Sequence, residues 1–407
     1  MKKLTVIILI IFFYTTLFAE VFKFQFNESD AYRILSTVHE DVYLNGKLSH
    51  KAEIINRISV EVKEKNVDGS ALHSARFMTT ERASRTSSGE PFSWSDEYFS
   101  MFNRSPNGFY EIDDEYFMPV VRNVPIFLNE DIKIGQKWKA SGYEVHDLRR
   151  SFGIDTPFKV PFEADYTYAG TVQNDKGDTL HIIKVKYTLN YESPKLDKNY
   201  SGKSFEEQDV PQYTLGYSDQ TIYWDNKRGM INNYNEHFRI VIETRFGNVL
   251  EFKGTAGSEI TERNKLTDET LNEVKDQIAQ LDIQNTEVKS DDTGITISLE
   301  NIQFMADSEI LLDSEKIKLQ KIALILKNFP NNDLLISGHT ALAGTFNARQ
   351  QLSKARAISV AQYLIDLGVK DEYHIFTQGF GAEKPVASND TPENMARNRR
   401  VEIKIMK

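Results

Sequence analysis

The stretch DLLISGHTALAGTFNARQQLSKARAISVAQYLIDL, residues 333–367, decides the fold of the C-terminal part of the chain. Residues 333–340 have the apolar run of a short buried strand, and the apolar spacing from Arg349 to Leu367 predicts a long helix. Gly368 follows immediately, and glycine is favoured just after the last turn of a helix. A strand joined to a helix of this length predicts a sheet covered by helices.

The segments around this stretch continue the alternation of strand and helix. Strand patterns occupy residues 295–304, 373–381 and 401–406, and a helical pattern occupies residues 314–328. The predicted order is β-α-β-α-β-β, which implies an α/β sandwich with one mixed sheet. We assign residues 286–407 to this domain.

Four separated motifs follow one another within this domain. They are GHT at 338–340 with GT at 344–345, LSKARA at 352–357 with Val360, Tyr363 and Leu364, GFG at 379–381 with KPVA at 384–387 and Asn389, and NRRVEI at 398–403. In this order the motifs resemble the OmpA-like C-terminal domain, which occurs in outer-membrane proteins, peptidoglycan-associated lipoproteins and flagellar stator proteins of the MotB type. The resemblance covers about a quarter of the chain.

The resemblance implies a pocket for diaminopimelate, a peptidoglycan component that offers a carboxylate and an ammonium group. Family members bind the carboxylate with an arginine, whose planar fork can pair with both oxygens, and the ammonium with an aspartate. Arg356 matches the arginine, but Ala341 stands where the family has the aspartate. Arg349 stands where the family usually has Asn, and Thr340 and Arg400 complete the candidate ligand-binding set.

The missing carboxylate predicts a degenerate pocket. Removing one partner of a buried charge pair typically costs about 2–5 kcal/mol, which corresponds to about 30-fold in affinity or more. We therefore expect the binding of peptidoglycan through diaminopimelate to be weakened or lost. Two alternatives stay open: the pocket is functional and anchors an outer-membrane protein to peptidoglycan, or Arg356 is purely structural and pairs with an acid inside the domain.

The N-terminal residues 1–19 predict a signal peptide. Two lysines precede an apolar run over residues 4–18, and the small residue Ala19 ends this run. The run is short for a membrane-spanning helix, which needs about 20 apolar residues. We expect an exported, periplasmic protein that can associate with the outer membrane, and an uncleaved N-terminal anchor is the alternative.

Residues 20–265 predict an antiparallel β-rich domain. The segment VFKFQF at 21–26 alternates apolar and polar residues, and Asn45-Gly46 is a strong hairpin signal. We interpret the polar, Ser/Thr-rich residues 76–91 as a loop. The domain is either soluble, binding a partner or an apolar ligand, or a membrane β-barrel, whose strands should be about 10 residues long and apolar outward. Lysines within the predicted strands favour the soluble domain.

Residues 266–285 predict one amphipathic helix, because Leu271, Val274 and Ile278 fall at helical spacing. The segment contains no Gly, Pro or Ser, so we expect a stiff helical linker between the two domains. The predicted fold class is thus a multidomain α+β protein.

Composition limits the functions that this chain can perform. It contains no cysteine, which excludes disulfides and thiolate metal ligands. A net charge of −10 makes nucleic acid a poor partner. No metal-binding histidine spacing, P-loop or nucleophile elbow is present. We predict a non-enzymatic structural or adaptor protein of the cell envelope without a cofactor, with peptidoglycan or other envelope proteins as partners.

Overall fold

A computed structural model of the chain describes residues 19–28, 30–83, 91–94, 96–194, 209–262, 266–305 and 308–407. Residues 1–18 of the predicted signal peptide therefore lie outside the described residues. Within the described ranges no helix has both the length and the apolar character needed to cross a membrane. The signal peptide stays a prediction.

The N-terminal region is rich in long strands, as the alternating sequence predicts. The strands up to residue 146 are β1 (Ala19–Glu20), β2 (Ala31–Leu44), β3 (Lys47–Lys65), β4 (Ala71–Ala83), β5 (Phe92–Ser93), β6 (Asp96–Arg104), β7 (Tyr110–Ile112), β8 (Val121–Arg122), β9 (Ile132–Lys133) and β10 (Lys137–His146). A short helix α1 (Arg149–Phe152) leads to β11 (Phe158–Gln173), β12 (Thr179–Glu192), β13 (Pro211–Asp225), β14 (Met230–Thr244) and β15 (Val249–Glu262).

Twelve strands from this part of the chain form one antiparallel sheet, in the order β7-β6-β4-β3-β2-β15-β14-β13-β12-β11-β10-β8. The sheet is nearly closed, because side-chain hydrogen bonds join β6, near one end, to residues that lie beside β10 and β8, near the other end. Tyr98 of β6 donates to Asp147 Oδ2 at 3.0 Å, and Ser100 of the same strand donates to the carbonyl oxygen of Met118 at 2.8 Å. The segment before β8 thus links β6 with the region of β10.

The inner face of this sheet carries a large apolar core. From Phe158 to Gly170 every second residue of β11, such as Val160 and Tyr166, is buried, as the period of two in a strand requires. The N-terminal segment before β2 packs onto this face, where the rings of Phe24 and Trp224 meet edge to face at 4.8 Å. This packing explains why the alternation of VFKFQF resembles a strand, although most of the segment makes no ladder.

The expected loop at residues 76–91 is wrong at its start, because β4 continues to Ala83. Two polar residues of this stretch make contacts with residues outside β4. Thr80 Oγ1 donates to the carbonyl oxygen of Ser93, and Arg82 forms an ion pair with Glu53. Partners remote in sequence thus stabilise a strand whose composition is typical of a loop.

The C-terminal region is a mixed sheet with helices, as predicted. Its elements are α2 (Asp268–Gln280), β16 (Thr286–Asp291), β17 (Gly294–Glu300), α3 (Asp313–Leu326), β18 (Leu334–Gly338), α4 (Phe346–Asp366), β19 (Ile375–Gly379), α5 (Pro392–Asn398) and β20 (Arg400–Met406). The sheet order is β16-β17-β20-β18-β19-β5, with β18 and β19 parallel. Strand β16 and helix α5 are additions to the predicted order.

Helix α2 lies in the segment predicted as a linker. Thr267 caps it, accepting a hydrogen bond from the Thr270 backbone N–H at 3.3 Å. Its residues Val274 and Ile278 are buried in the apolar core of the C-terminal region. The predicted limits 20–265, 266–285 and 286–407 stay predictions.

The two regions share a buried interface. Strand β5 pairs in parallel with β19, so a short piece of the N-terminal region extends the C-terminal sheet. The carboxylate of Asp333, immediately before β18, is fully buried and forms ion pairs with Arg33 and Arg57 of the large sheet. An apolar cluster that includes Leu35 and Phe376 surrounds these contacts. The C-terminal region is therefore fixed to the large sheet.

Candidate functional site

Helix α4 lies directly on β18 and β19 because glycines face it. A Cβ atom on Gly338 would lie 2.0 Å from the Ser353 carbonyl oxygen, and one on Gly379 would lie 2.6 Å from the Lys354 nitrogen. The Ser353 hydroxyl also accepts a hydrogen bond from the Gly381 N–H at 2.9 Å. These contacts fix α4, and with it the arginines of α4, relative to the loop that follows β18.

The loop after β18 carries Thr340 and Ala341. The Thr340 N–H donates to the Gly381 carbonyl oxygen at 2.8 Å, and the Leu342 N–H donates to Asn389 Oδ1 at 2.9 Å. Ala341 is only 6% exposed. Hydrogen bonds of the backbone N–H groups thus hold the loop on both sides of Ala341, the residue predicted to stand where the family has an aspartate.

Arg356 lies on α4, with its guanidinium against the segment that precedes α3. Its Nε donates to the Ser308 carbonyl oxygen at 3.2 Å, and its Cζ lies 4.7 Å from the ring centroid of Phe304. A guanidinium has five N–H donors in a planar fork. These contacts orient Arg356 on α4.

Arg349 lies about two turns nearer the start of α4 than Arg356. Its Nη1 donates to the Gly344 carbonyl oxygen at 2.5 Å, so the side chain turns back onto the loop after β18. The guanidinium places a positive charge on the loop that carries Ala341. A positive charge in this place repels an ammonium group.

Arg400 lies on the strand next to β18, and the His339 N–H donates to its carbonyl oxygen at 3.0 Å. Side chains alternate along a strand, and Val401 belongs to the core beneath the helices. The guanidinium of Arg400 therefore lies on the opposite face of the sheet, where its Nε donates to Glu402 Oε1 at 2.8 Å. The loop after β18 carries Thr340 and Ala341, and the Arg349 guanidinium contacts this loop. The structure does not bring the Arg400 guanidinium to the face of α4.

A buried charge cluster surrounds Arg400. His339 is 2% exposed, and its Nε2 lies 3.5 Å from Glu402 Oε2. Burial lowers the pKa of His339. Burial alone would raise the pKa of Glu402, but the contacts with His339 and Arg400 lower it to about 2.

This cluster predicts a loss of stability in acid. The pKa of Glu402 is about 2 in the folded protein, against an ordinary value of 4.5. The stabilisation of the folded state by ionised Glu402 is therefore complete above pH 4.5 and disappears as the pH falls towards 2. Glu402→Gln should therefore reduce the difference in the free energy of unfolding between pH 5 and pH 2.5, measured by urea titration. Glu287→Gln, on exposed β16, is the control; equal pH dependence in both variants would contradict the prediction.

Sequence reasoning missed two groups that support this site. Asn398 holds the segment after β19, because its Oδ1 accepts from the N–H groups of Val386 at 2.9 Å and Ala387 at 3.0 Å. The ring of Phe380 stacks on His339 with centroids 5.2 Å apart. Asn398 and Phe380 lie within the quoted motifs, so their position in the motifs was the available signal.

The loop after β18 and the helix that follows it differ in charge. The loop from His339 to Thr345 contains no acidic residue, while Arg349 and Arg356 lie on the helix that follows. A carboxylate can pair with a guanidinium there, but an ammonium group finds no opposite charge from this loop.

Comparison with known proteins gives a consistent result for this region. Residues 303–399 match the OmpA family. The chain is 39% identical over 115 residues to "Probable lipoprotein YiaD" of Escherichia coli, covering 28% of this chain and 52% of the relative. It is 41% identical over 102 residues to "Peptidoglycan-binding protein ArfA" of Mycobacterium tuberculosis, covering 25% of this chain and 31% of the relative. The chain thus spans about half and about a third of these relatives.

A similar solved structure is an outer membrane protein from Borrelia burgdorferi B31. It is 36% identical, covers 30% of this chain and 97% of its own, and has a TM-score of 0.26. The residues that match the family model lie in the C-terminal region, which contains the motifs, the mixed sheet and helix α4. Residues 303–399 of this chain therefore form a domain of the OmpA family.

Proposed function

We propose that this chain is a non-enzymatic protein of the cell envelope whose C-terminal domain associates with peptidoglycan, but with a weakened grip on diaminopimelate. The OmpA-family domain supports the envelope role, and a relative with 41% identity is named a peptidoglycan-binding protein. The second part of the proposal concerns residues of this chain alone.

The observation that carries the weakened grip is the side chain at position 341. Ala341 is buried in a loop fixed by backbone hydrogen bonds, so the loop cannot easily move to bring in another group. Diaminopimelate would keep the pairing of its carboxylate with Arg356 and lose the pairing of its ammonium. Arg349 adds a repulsive charge on the same loop.

The rigid attachment of the domain supports an adaptor role. Contacts such as Asp333 with Arg57 connect the OmpA-family domain to the large sheet. Within this proposal the chain is exported to the periplasm, can associate with the outer membrane, and has peptidoglycan or other envelope proteins as partners. The N-terminal region, residues 20–265, is the part that binds a ligand or a partner.

Ala341→Asp is expected to strengthen binding to purified sacculi by about 30-fold or more, because it restores an anion for the ligand ammonium. The measurement is a sedimentation assay with sacculi and increasing concentrations of the full chain. Wild-type protein should remain mostly in the supernatant at concentrations where Ala341→Asp sediments.

Two control variants separate charge from size. Ala341→Asn has nearly the size of aspartate without its charge and should bind like the wild type. Arg356→Gln in the Ala341→Asp background should remove most of the gain, since both charges hold one ligand. Tight wild-type binding that Ala341→Asp leaves unchanged would instead support a functional peptidoglycan anchor.

A further inference from the structure

The N-terminal region contains a cavity of about 580 Å³ that is separate from the OmpA-family domain. It lies between strands β2 and β15 of the large sheet and the segment before β2. Its apolar walls include Phe26, Ile34, Val62 and Ile260. Ligand pockets in proteins usually measure about 300–1,000 Å³, so the cavity has the size of a ligand site.

Arg104, the last residue of β6, lines this cavity and is only 8% exposed. Its Cζ lies 3.7 Å from the ring centroid of Phe24 and 4.5 Å from that of Tyr110. Within the part of the chain that the structure describes, its guanidinium forms no hydrogen bond or ion pair, and its Nε is buried without a partner. A buried charge without a counter-ion is costly, so an anion in the cavity would relieve this cost.

Two acids, Glu28 and Asp30, line the cavity, but within the described residues neither forms an ion pair with Arg104. Burial and the charge of Arg104 lower the pKa of His73 to about 4, so its imidazole is neutral at neutral pH. The Asp30 carboxylate accepts hydrogen bonds from the Asn27 N–H at 2.8 Å and from Asn27 Nδ2 at 3.2 Å. Glu28, the other lining acid, is exposed. One further lining cation, Lys227, is exposed and adds positive charge.

We propose that this cavity binds an amphiphilic anion, with a carboxylate against Arg104 and an alkyl chain along Ile34, Val62 and Ile260. A guanidinium pairs with both oxygens of a carboxylate, which fixes the head of the ligand. The alkyl chain would pack against these aliphatic side chains. This site is independent of the peptidoglycan proposal, because no residue of the OmpA-family domain lines the cavity.

The test is calorimetric titration of the full chain with octanoate, decanoate and dodecanoate below their micelle concentrations. Each added methylene should tighten binding about fourfold until the cavity is full. Decanol and decyltrimethylammonium, which lack the anion, should bind at least about tenfold more weakly than decanoate. Equal affinity for decanoate and decanol would overturn the proposal, as would an absence of binding by all three acids.

Variants separate a binding role of Arg104 from a structural role. Arg104→Gln should weaken decanoate about tenfold or more, leave decanol unchanged and leave the ligand-free melting temperature undiminished. Arg239→Gln, an exposed arginine paired with Glu251, is the matched control and should bind like the wild type. If Arg104→Gln does not fold, Ile260→Phe tests the cavity with the arginine intact: dodecanoate should weaken more than octanoate, and an unchanged series would overturn the proposal.

Discussion

Replacing Asp333 with alanine is expected to lower the free energy of unfolding by about 3–5 kcal/mol. Asp333 is 0% exposed, and its two carboxylate oxygens bind Arg33 Nη1 and Arg57 Nε. Arg33 is 3% exposed and Arg57 is 5% exposed. Removing the carboxylate therefore leaves two buried guanidinium groups without their counter-ion. Urea titration of the full chain measures the loss.

A surface pair provides the control for this prediction. Asp219 binds Lys186 at 2.6 Å, but both side chains are substantially exposed, so Asp219→Ala should cost about 1 kcal/mol or less. A loss below 1 kcal/mol for Asp333→Ala would contradict the prediction. Because an apolar replacement of a whole buried ion cluster is often neutral, adding Arg33→Met and Arg57→Met to Asp333→Leu should recover most of the lost stability.

Gly338→Ala is expected to destabilise the protein by about 3 kcal/mol, at the upper end of the usual range for overpacking. The new Cβ atom would lie 2.0 Å from the Ser353 carbonyl oxygen. This oxygen belongs to the backbone of α4, so no side-chain rotation can relieve the clash. Helix α4 must therefore shift away from β18 and carry Arg356 with it. Thermal unfolding measures the stability, and the sacculus assay in the Ala341→Asp background measures the effect on the site.

Gly257 provides the matched control for Gly338. It also lies in a strand, but a Cβ atom there would meet nothing closer than 3.4 Å. Gly257→Ala should change the free energy of unfolding by less than about 1 kcal/mol. Equal effects of the two substitutions would show that close packing of α4 is not the cause.

The sequence predicted the OmpA-family domain well because its motifs are local. Gly338, Ala341 and the helix with Arg356 all lie within residues 333–367. The face on which Arg400 lies could also have been predicted, since Val401 beside it is apolar and strand side chains alternate. Arg400 was predicted to belong to the site because it lies in the NRRVEI motif, but the alternation of side chains along β20 puts it on the other face.

The interface between the two regions could not be predicted from local patterns. Arg33 and Asp333 are 300 positions apart, and each alone reads as a solvent-exposed charge in a strand region. Arg104 presented the same difficulty, because nothing in its neighbours along the chain indicates burial. Helix α2 was predicted from its apolar stripe, but the stripe does not identify the surface that covers it.

The pairing of β5 with β19 has a mechanical consequence. If the OmpA-family domain is held and the large sheet is pulled, the force acts on the β5–β19 strand pair and on the buried ion cluster at Asp333. These contacts must break before the two regions can separate. A slack tether would absorb such a pull by uncoiling, whereas this junction transmits it at once. The molecule would then act as a stiff connection that transmits tension from one attachment point to the other.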